Sequence, residues 1–260
     1  MKAFSRNLYL SLFGKVSQPK KGVYILNGHY LTRKHNAKAE LFITFLNECR
    51  QFAEFINIED AVQLIESGEA ADVDGTFIAF TFDDGFDDCY HSLAPSLDKF
   101  GVNACFFVNP NYIDGDAEYI QRFNNQLVKT NNKKPLSWKE VKSLHDSGFI
   151  IGNHTLDHLR LSELDKNNIE KQIILAKEIL ESKLTSPCEF FAWPYGQYSD
   201  ICDLSLEVAT STHKYAFSGC NFRSYTSCIN GRKYFNRRHF EASWPPSHLK
   251  YFLSKSREYN

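Results

Sequence analysis

Apolar residues recur along this chain in two alternating rhythms. Short runs dense in Phe, Ile, Val and Tyr, at 23–26, 76–82, 102–108, 149–151, 189–192, 215–217 and 234–241, predict about seven buried strands. Between them, spacings of three and four predict helices. Leu41, Phe42, Phe45, Leu46, Cys49 and Phe52 form one stripe over 37–55. Ile169, Ile173, Ala176, Leu180 and Leu184 form another within 163–184. Further helices are predicted over 58–65, 90–100 with Pro95 and a Gly101 stop, 199–212, and 245–254 opened by Pro245-Pro246. Ser137 with Glu140 three residues on predicts a capping box for 137–147. The polar stretch 114–134, with Asn124-Asn125 and Asn131-Asn132, reads as a helical excursion with loops.

Strand and helix alternate to the end without a Pro/Gly-rich linker or a repeat. That predicts one α/β domain over 1–260 with a largely parallel sheet. The strands are short and about seven in number, which favours a distorted, incomplete (β/α) barrel over an open doubly wound sheet. Residues 1–20 form an N-terminal extension. Phe4, Leu8, Leu12 and Val16 recur every four residues there, so an amphipathic helix is predicted. Such a face suits docking on its own domain, or a membrane surface.

Composition narrows the class. At 43% hydrophobic the chain can bury a sizeable core, and a formal charge of −1 offers no global field for nucleic acid. Aromatics reach 15%; most of them must be core, and some could line a groove for sugars or other ring-bearing ligands. The seven cysteines are odd in number and lack a CxxC pair, which suits reduced thiols. The apolar patch near Met1 is short for a signal peptide, and no run reaches transmembrane length. The expectation is a cytoplasmic protein, with peripheral contact at the inner membrane face.

Three stretches carry chemistry, and each follows a predicted strand. Asp83-Asp84-Gly85 follows the 76–82 strand, where paired carboxylates suit a metal ligand beside a base, or simple helix capping. His154 and His158 are four apart; on a helical turn they reach one ion, and either Asp83 or Asp84 would complete a His₂-carboxylate site. Trp193-Pro194-Tyr195-Gly196 follows the 189–192 strand; His29, just past the 23–26 strand, reads by itself as an ordinary loop histidine.

Thr81-Phe82-Asp83-Asp84-Gly85, His154-Thr155-Leu156-Asp157-His158 and Ala192-Trp193-Pro194-Tyr195-Gly196 together resemble the first three motifs of the polysaccharide deacetylases, carbohydrate esterases of the chitooligosaccharide-deacetylase type. The lead-in residues Leu136-Ser137-Trp138 and 147–153 are similar too, and the resemblance spans about 75–219. It implies a distorted (β/α) barrel and a divalent metal, commonly zinc, with cobalt, nickel or iron as alternatives. Asp84, His154 and His158 resemble the metal ligands, Asp83 the catalytic base, and the Tyr195 backbone N–H the oxyanion donor. Trp193, Pro194 and Tyr195 would wall the substrate groove. The implied substrate is an N-acetylated sugar, oligosaccharide or lipid-linked glycan precursor of a bacterial cell surface; a non-sugar amide or a binding-only role are the alternatives.

Two positions depart from the family pattern. The arginine that usually opens the third motif and holds the base is Ala192 here, so Arg237 or Arg238 is a candidate replacement. The late histidine that supplies the general acid is also unclear. Tyr24-Ile25-Leu26-Asn27-Gly28-His29 resembles the N-terminal strand of a circularly permuted subgroup acting on exopolysaccharides, which puts His29 ahead of His239 and His248 for that role.

Overall fold

The computed structural model describes residues 2–32, 39–130, 133–255 and 257–259, with side chains from Arg6 onward. The start of the 37–55 helix, Asn131-Asn132 and the Phe4 side chain lie outside the described residues. The strands are β1 (Gly22–Gly28), β2 (Glu54–Phe55), β3 (Thr76–Phe82), β4 (Ala104–Val108), β5 (Ile150–Asn153), β6 (Phe190–Ala192), β7 (Tyr215–Ser218), β8 (Thr226–Ile229), β9 (Arg232–Asn236) and β10 (Arg238–His239). The helices are α1 (Lys2–Val16), α2 (Glu40–Cys49), α3 (Ile58–Ser67), α4 (Ala94–Asp98), α5 (Ala117–Arg122), α6 (Trp138–Asp146), α7 (Lys166–Glu170), α8 (Ala176–Leu184), α9 (Asp203–Thr212) and α10 (Pro246–Leu253).

Strand order is β10-β1-β3-β4-β5-β6-β7-β9-β8, with β2 also on β3. Every pairing is parallel except the β8–β9 hairpin. That hairpin lay unread in the sequence, although Asn230-Gly231, both at positive φ, is its turn signal. Only Arg237 separates β9 from β10. The stretch Arg232–His239 therefore bonds β7 with its first half and β1 with its second, and the curled sheet becomes a distorted barrel.

Side-chain alternation sorts the residues of each strand. In β3, Phe80 and Phe82 point outward to α2, where their rings meet Phe42 at 6.2 and 6.0 Å. Ala79 points inward with Val23, Ile25, Cys105, Phe107, Ala192, Phe217 and Phe235. Small residues beside large ones fill a narrow barrel without overpacking.

The helices follow their signals with local revisions. The capping box forms: Glu140 Oε2 accepts from the Ser137 N–H at 2.7 Å, and Ser137 Oγ accepts from the Glu140 N–H at 3.3 Å. The 163–184 helix starts later, at Lys166, because Asp165 caps it by accepting from the Asn168 N–H. Its middle, Lys171–Leu175, is a π-helical turn. All seven cysteines are unpaired; Cys49, Cys89, Cys105 and Cys188 are buried.

The N-terminal helix docks on α10, but not through the expected stripe. Leu10 is buried, Ser11 Oγ bonds His248 Nε2 at 2.9 Å, and the Tyr9 and Tyr251 rings lie 5.6 Å apart. Leu8, Leu12 and Val16 stay exposed. Apolar residues occur on both sides of this helix, and the side carrying Gly14, where a Cβ would strike the Ser247 carbonyl, comes closest to α10.

Candidate active site

In a parallel barrel all strand C-termini share one rim. Here that rim surrounds a cavity of about 470 Å³, within the range of small-ligand sites, roughly 300–1,000 Å³. His29 enters from the end of β1, Asp83 and Asp84 from β3, His154 and His158 from β5, Trp193 and Tyr195 from β6, and Arg237 and His239 from the closing stretch.

Asp84, His154 and His158 converge with all three donor atoms within 4.8 Å of one another. Asp84 Oδ1 lies 3.5 Å from His154 Nε2 and 3.2 Å from His158 Nε2, and all three residues are buried. His154 Nδ1 lies 2.8 Å from the Ala192 carbonyl, which can only accept, so the proton sits on Nδ1 and Nε2 offers a lone pair. A lone pair facing a carboxylate is repulsive without a cation between them, and Asp84 Oδ1 has no hydrogen-bond partner. The donor set therefore fits a divalent cation: two imidazoles and a carboxylate, with coordination left over for water or substrate.

Asp83 points to a different partner. Arg237 clamps it bidentately, Nη1 to Oδ1 at 2.7 Å and Nη2 to Oδ2 at 2.8 Å, and Nη1 also reaches Thr81 Oγ1 at 3.0 Å. The guanidinium lies 5.0 Å from the centroid of the inward Phe107 ring. Burial opposes ionisation of Asp83, but the Arg237 guanidinium outweighs it and holds the carboxyl below the usual range. Alternation decides between the two arginines. Arg238, the next residue, faces outward and stacks on Phe252, 3.5 Å from that ring's centroid. The cation that the third motif lacks at Ala192 thus comes from the stretch between β7 and β1.

The histidine segment is not helical, contrary to expectation. Thr155 and His158 sit at φ +66 and +57, and the bend between them brings the two rings to 5.0 Å. Asp84 and Tyr195 are also left-handed, at φ +77 and +62, so strained backbone clusters at this rim. The π-helical turn supports the segment, since a π turn leaves carbonyls free of the regular ladder. Gln172 O accepts from the Leu156 N–H at 2.9 Å, and Ile173 O accepts from Asn153 Nδ2 at 2.9 Å. The supporting roles of Gln172 and Asn153 were not legible in the sequence, where nothing marks a π turn. Asp157, inside the motif, faces away from the cluster and accepts from Asn111, Tyr119 and Gln172.

Asn153 Nδ2 also lies 3.1 Å from His213 Nε2, which must accept and therefore be neutral. Burial pulls His213 from 6.5 down to about 4. The unfolded chain takes up this proton first as pH falls, so the contribution of His213 is whole above pH 6.5 and drains away toward pH 4. The loss amounts to about 3 kcal/mol. In urea unfolding, the stability gap between wild type and His213→Gln should narrow across that window. A gap independent of pH would rule out this titration.

The remaining candidates divide by position. His29 and His239 both line the cavity with ring centroids 5.4 Å apart. Burial lowers the His29 pKa, while Asp84 and Asp83 pull it back up. His248 is a correction: it is buried between α1 and α10 and does not line the cavity. Trp193 touches the cavity but is 1% exposed, its indole N–H donating to Ser205 Oγ. Pro194 is buried and absent from the lining, so the expected groove wall reduces to Trp193 and Tyr195, of which Tyr195 presents an exposed ring. The Tyr195 ring is 39% exposed, packed edge-on to His158 and covered by the Arg160 guanidinium at 4.3 Å. Arg160, itself paired with Asp200, was not anticipated.

Comparison with known proteins agrees with this architecture. Over 92% of its length the chain superposes on IcaB from Ammonifex degensii, covering 99% of that structure, with a TM-score of 0.68 at 18% identity. The Streptococcus pyogenes deacetylase PplD in complex with acetate gives 0.67 at 21% identity, over 91% of this chain and 99% of that one. At such identities the likeness is one of fold. In sequence, the peptidoglycan-N-acetylglucosamine deacetylase of Bacillus cereus is 29% identical over 134 residues, which is 51% of this chain and 40% of the relative. The chain thus aligns with only about two fifths of the curated relatives it matches, 38% and 40% of their lengths. The family model described as polysaccharide deacetylase matches residues 70–212, a segment that contains Asp83, Asp84, His154, His158 and Tyr195. Since that match covers more than half of the chain, the protein belongs to the polysaccharide deacetylase family.

Proposed function

We propose that this chain is a metal-dependent hydrolase that removes an N-acetyl group from a sugar in a glycan or glycan precursor. One observation carries the reading: an orphaned Asp84 oxygen faces two imidazoles, and the neighbouring carboxylate is clamped by a buried arginine. Asp84, His154 and His158 would hold a divalent ion, zinc by their donor chemistry, which would polarise an amide carbonyl and acidify bound water. Asp83, held ionised, takes the proton of the attacking water. The Tyr195 main-chain N–H donates to the carbonyl oxygen as negative charge develops there. His29 protonates the departing nitrogen. The step requires His29 to carry its proton when the C–N bond breaks, and the partly exposed His239 lies beside it with ring centroids 5.4 Å apart.

The cavity's size and its exposed Tyr195 suit a saccharide ring. The Bacillus cereus relative is named for acting on N-acetylglucosamine in peptidoglycan, which supports an N-acetylhexosamine. A binding-only role drew on Ala192; Arg237 removes that motive by supplying the cation.

Metal analysis with an acetate-release assay tests the reading. Wild type should hold about one divalent ion per chain and release acetate from N-acetylated chito-oligosaccharides. His154→Ala/His158→Ala should lose both. Wild type without metal after soaking in zinc or cobalt would overturn the hydrolase mechanism.

A further inference from the structure

Helix α1 keeps one side exposed. Leu10, Ser11 and Gly14 face α10, whereas Leu8, Tyr9, Leu12, Phe13 and Val16 fall on one continuous exposed arc, within which Tyr9 also touches α10 through the Tyr251 ring. These five are 45–76% exposed, and among the described residues they are half of the ten large hydrophobics that stand out most. Single exposed apolar side chains need no explanation, but a contiguous patch does. No described helix is long and apolar enough to cross a membrane, so any bilayer contact of α1 lies in the plane of the surface.

Charge names the occupant. Exposed Arg6 and Lys15 fall at the two margins of the arc, and α1 has no acidic residue. Beside it, Lys20, Arg223 and Lys255 line a cavity of about 500 Å³ with Ser224, Ser254 and Glu258. Lys255 Nζ lies 4.1 Å from the centroid of Tyr251, the ring that meets Tyr9. Residues 1–39 hold eight Lys/Arg and no Asp/Glu; with the chain at −1, the remainder carries −9. A second copy packed face to face would set these like charges against each other. A bilayer rich in anionic phosphates accepts both the apolar arc and the basic margin.

We propose that the free face of α1 and the adjoining basic cavity form a docking surface for an anionic lipid bilayer. The apolar arc sinks to the headgroup boundary while Arg6, Lys15 and the cavity lysines meet lipid phosphate.

Vesicle co-sedimentation of the full chain tests it, comparing phosphatidylcholine with equimolar phosphatidylcholine and phosphatidylglycerol. The chain should sediment with the anionic vesicles and weaken at high salt. Leu12→Glu/Val16→Glu should reduce binding by about tenfold or more. Arg6→Glu/Lys15→Glu should do so while keeping the arc intact. Both variants should retain the wild-type melting temperature, since the changed side chains are exposed. No sedimentation, equal sedimentation with neutral vesicles, or binding that survives both variants would overturn the proposal. So would a concentration-dependent dimer that disappears in Leu12→Glu/Val16→Glu, because a second copy would then be the occupant.

Discussion

Asp83→Asn should cut acetate release by about 10²–10⁴-fold, the span of a lost general base, in a protein that still binds metal. The amide has the shape of the carboxylate but cannot take a proton from water. Asp84, His154 and His158 keep their donors, so metal content should stay at the wild-type level. The loss should fall on kcat with little change in KM, since only a transition-state interaction is removed. The variant also leaves Arg237 buried without its counter-charge, so melting will be lower and rates must be expressed per folded, metal-loaded chain. Turnover near the wild-type rate would remove Asp83 from the mechanism.

Arg237→Met should be nearly as damaging, by a different route. It strips a carboxylate that is 4% exposed of its cation, and breaking a buried pair from one side costs about 3–5 kcal/mol. The effect depends on pH in a defined direction. Paired Asp83 titrates below its unfolded value, so its contribution is present above about pH 3.9 and is lost as pH falls through the folded value. The stability gap between wild type and variant should therefore close in acid. Without Arg237, its main counterweight, burial weighs more heavily on Asp83, and the acidic limb of kcat/KM should move to higher pH. Lysine at 237 should restore part of the activity, because a point charge cannot make the two-pronged contact. Adding Ala192→Arg to Arg237→Met tests whether the cation can come from either strand. Recovered turnover in the double variant would show that its position, not its place in the sequence, is what Asp83 requires.

The barrel was legible because its signals are local. In β3 the outward Phe80 and Phe82 alternate with the inward Ala79 and Thr81, and the run stops at two carboxylates. The rim follows from strand direction, so motif residues placed after strands had to gather. What stayed hidden depends on tertiary context. Nothing near Arg237 in the sequence distinguishes it from Arg238; their sides are fixed only when one stretch pairs with β7 and then β1. The left-handed Thr155 and His158 break the expectation of a helical turn, which i,i+4 spacing alone suggested. The π-helical turn preserves the apolar stripe of Ile169, Ile173 and Leu180, so periodicity could not reveal it. Likewise the four-residue repeat of α1 found a real helix and misjudged which face it buries.

The closing stretch also sets a clock on the chain's birth. Asp83 leaves the ribosome 154 residues before its partner Arg237. At about 5–20 residues per second, that is roughly 8–30 s of waiting. During that time β1 lacks β10, β7 lacks β9, and the carboxylate that the barrel will bury has no cation. The early strands can form against their helices, but the rim cannot close until the stretch Arg232–His239 has emerged. A nascent or truncated product ending before residue 232 would carry all three family motifs and still be inert, with two open strand edges exposed to aggregation.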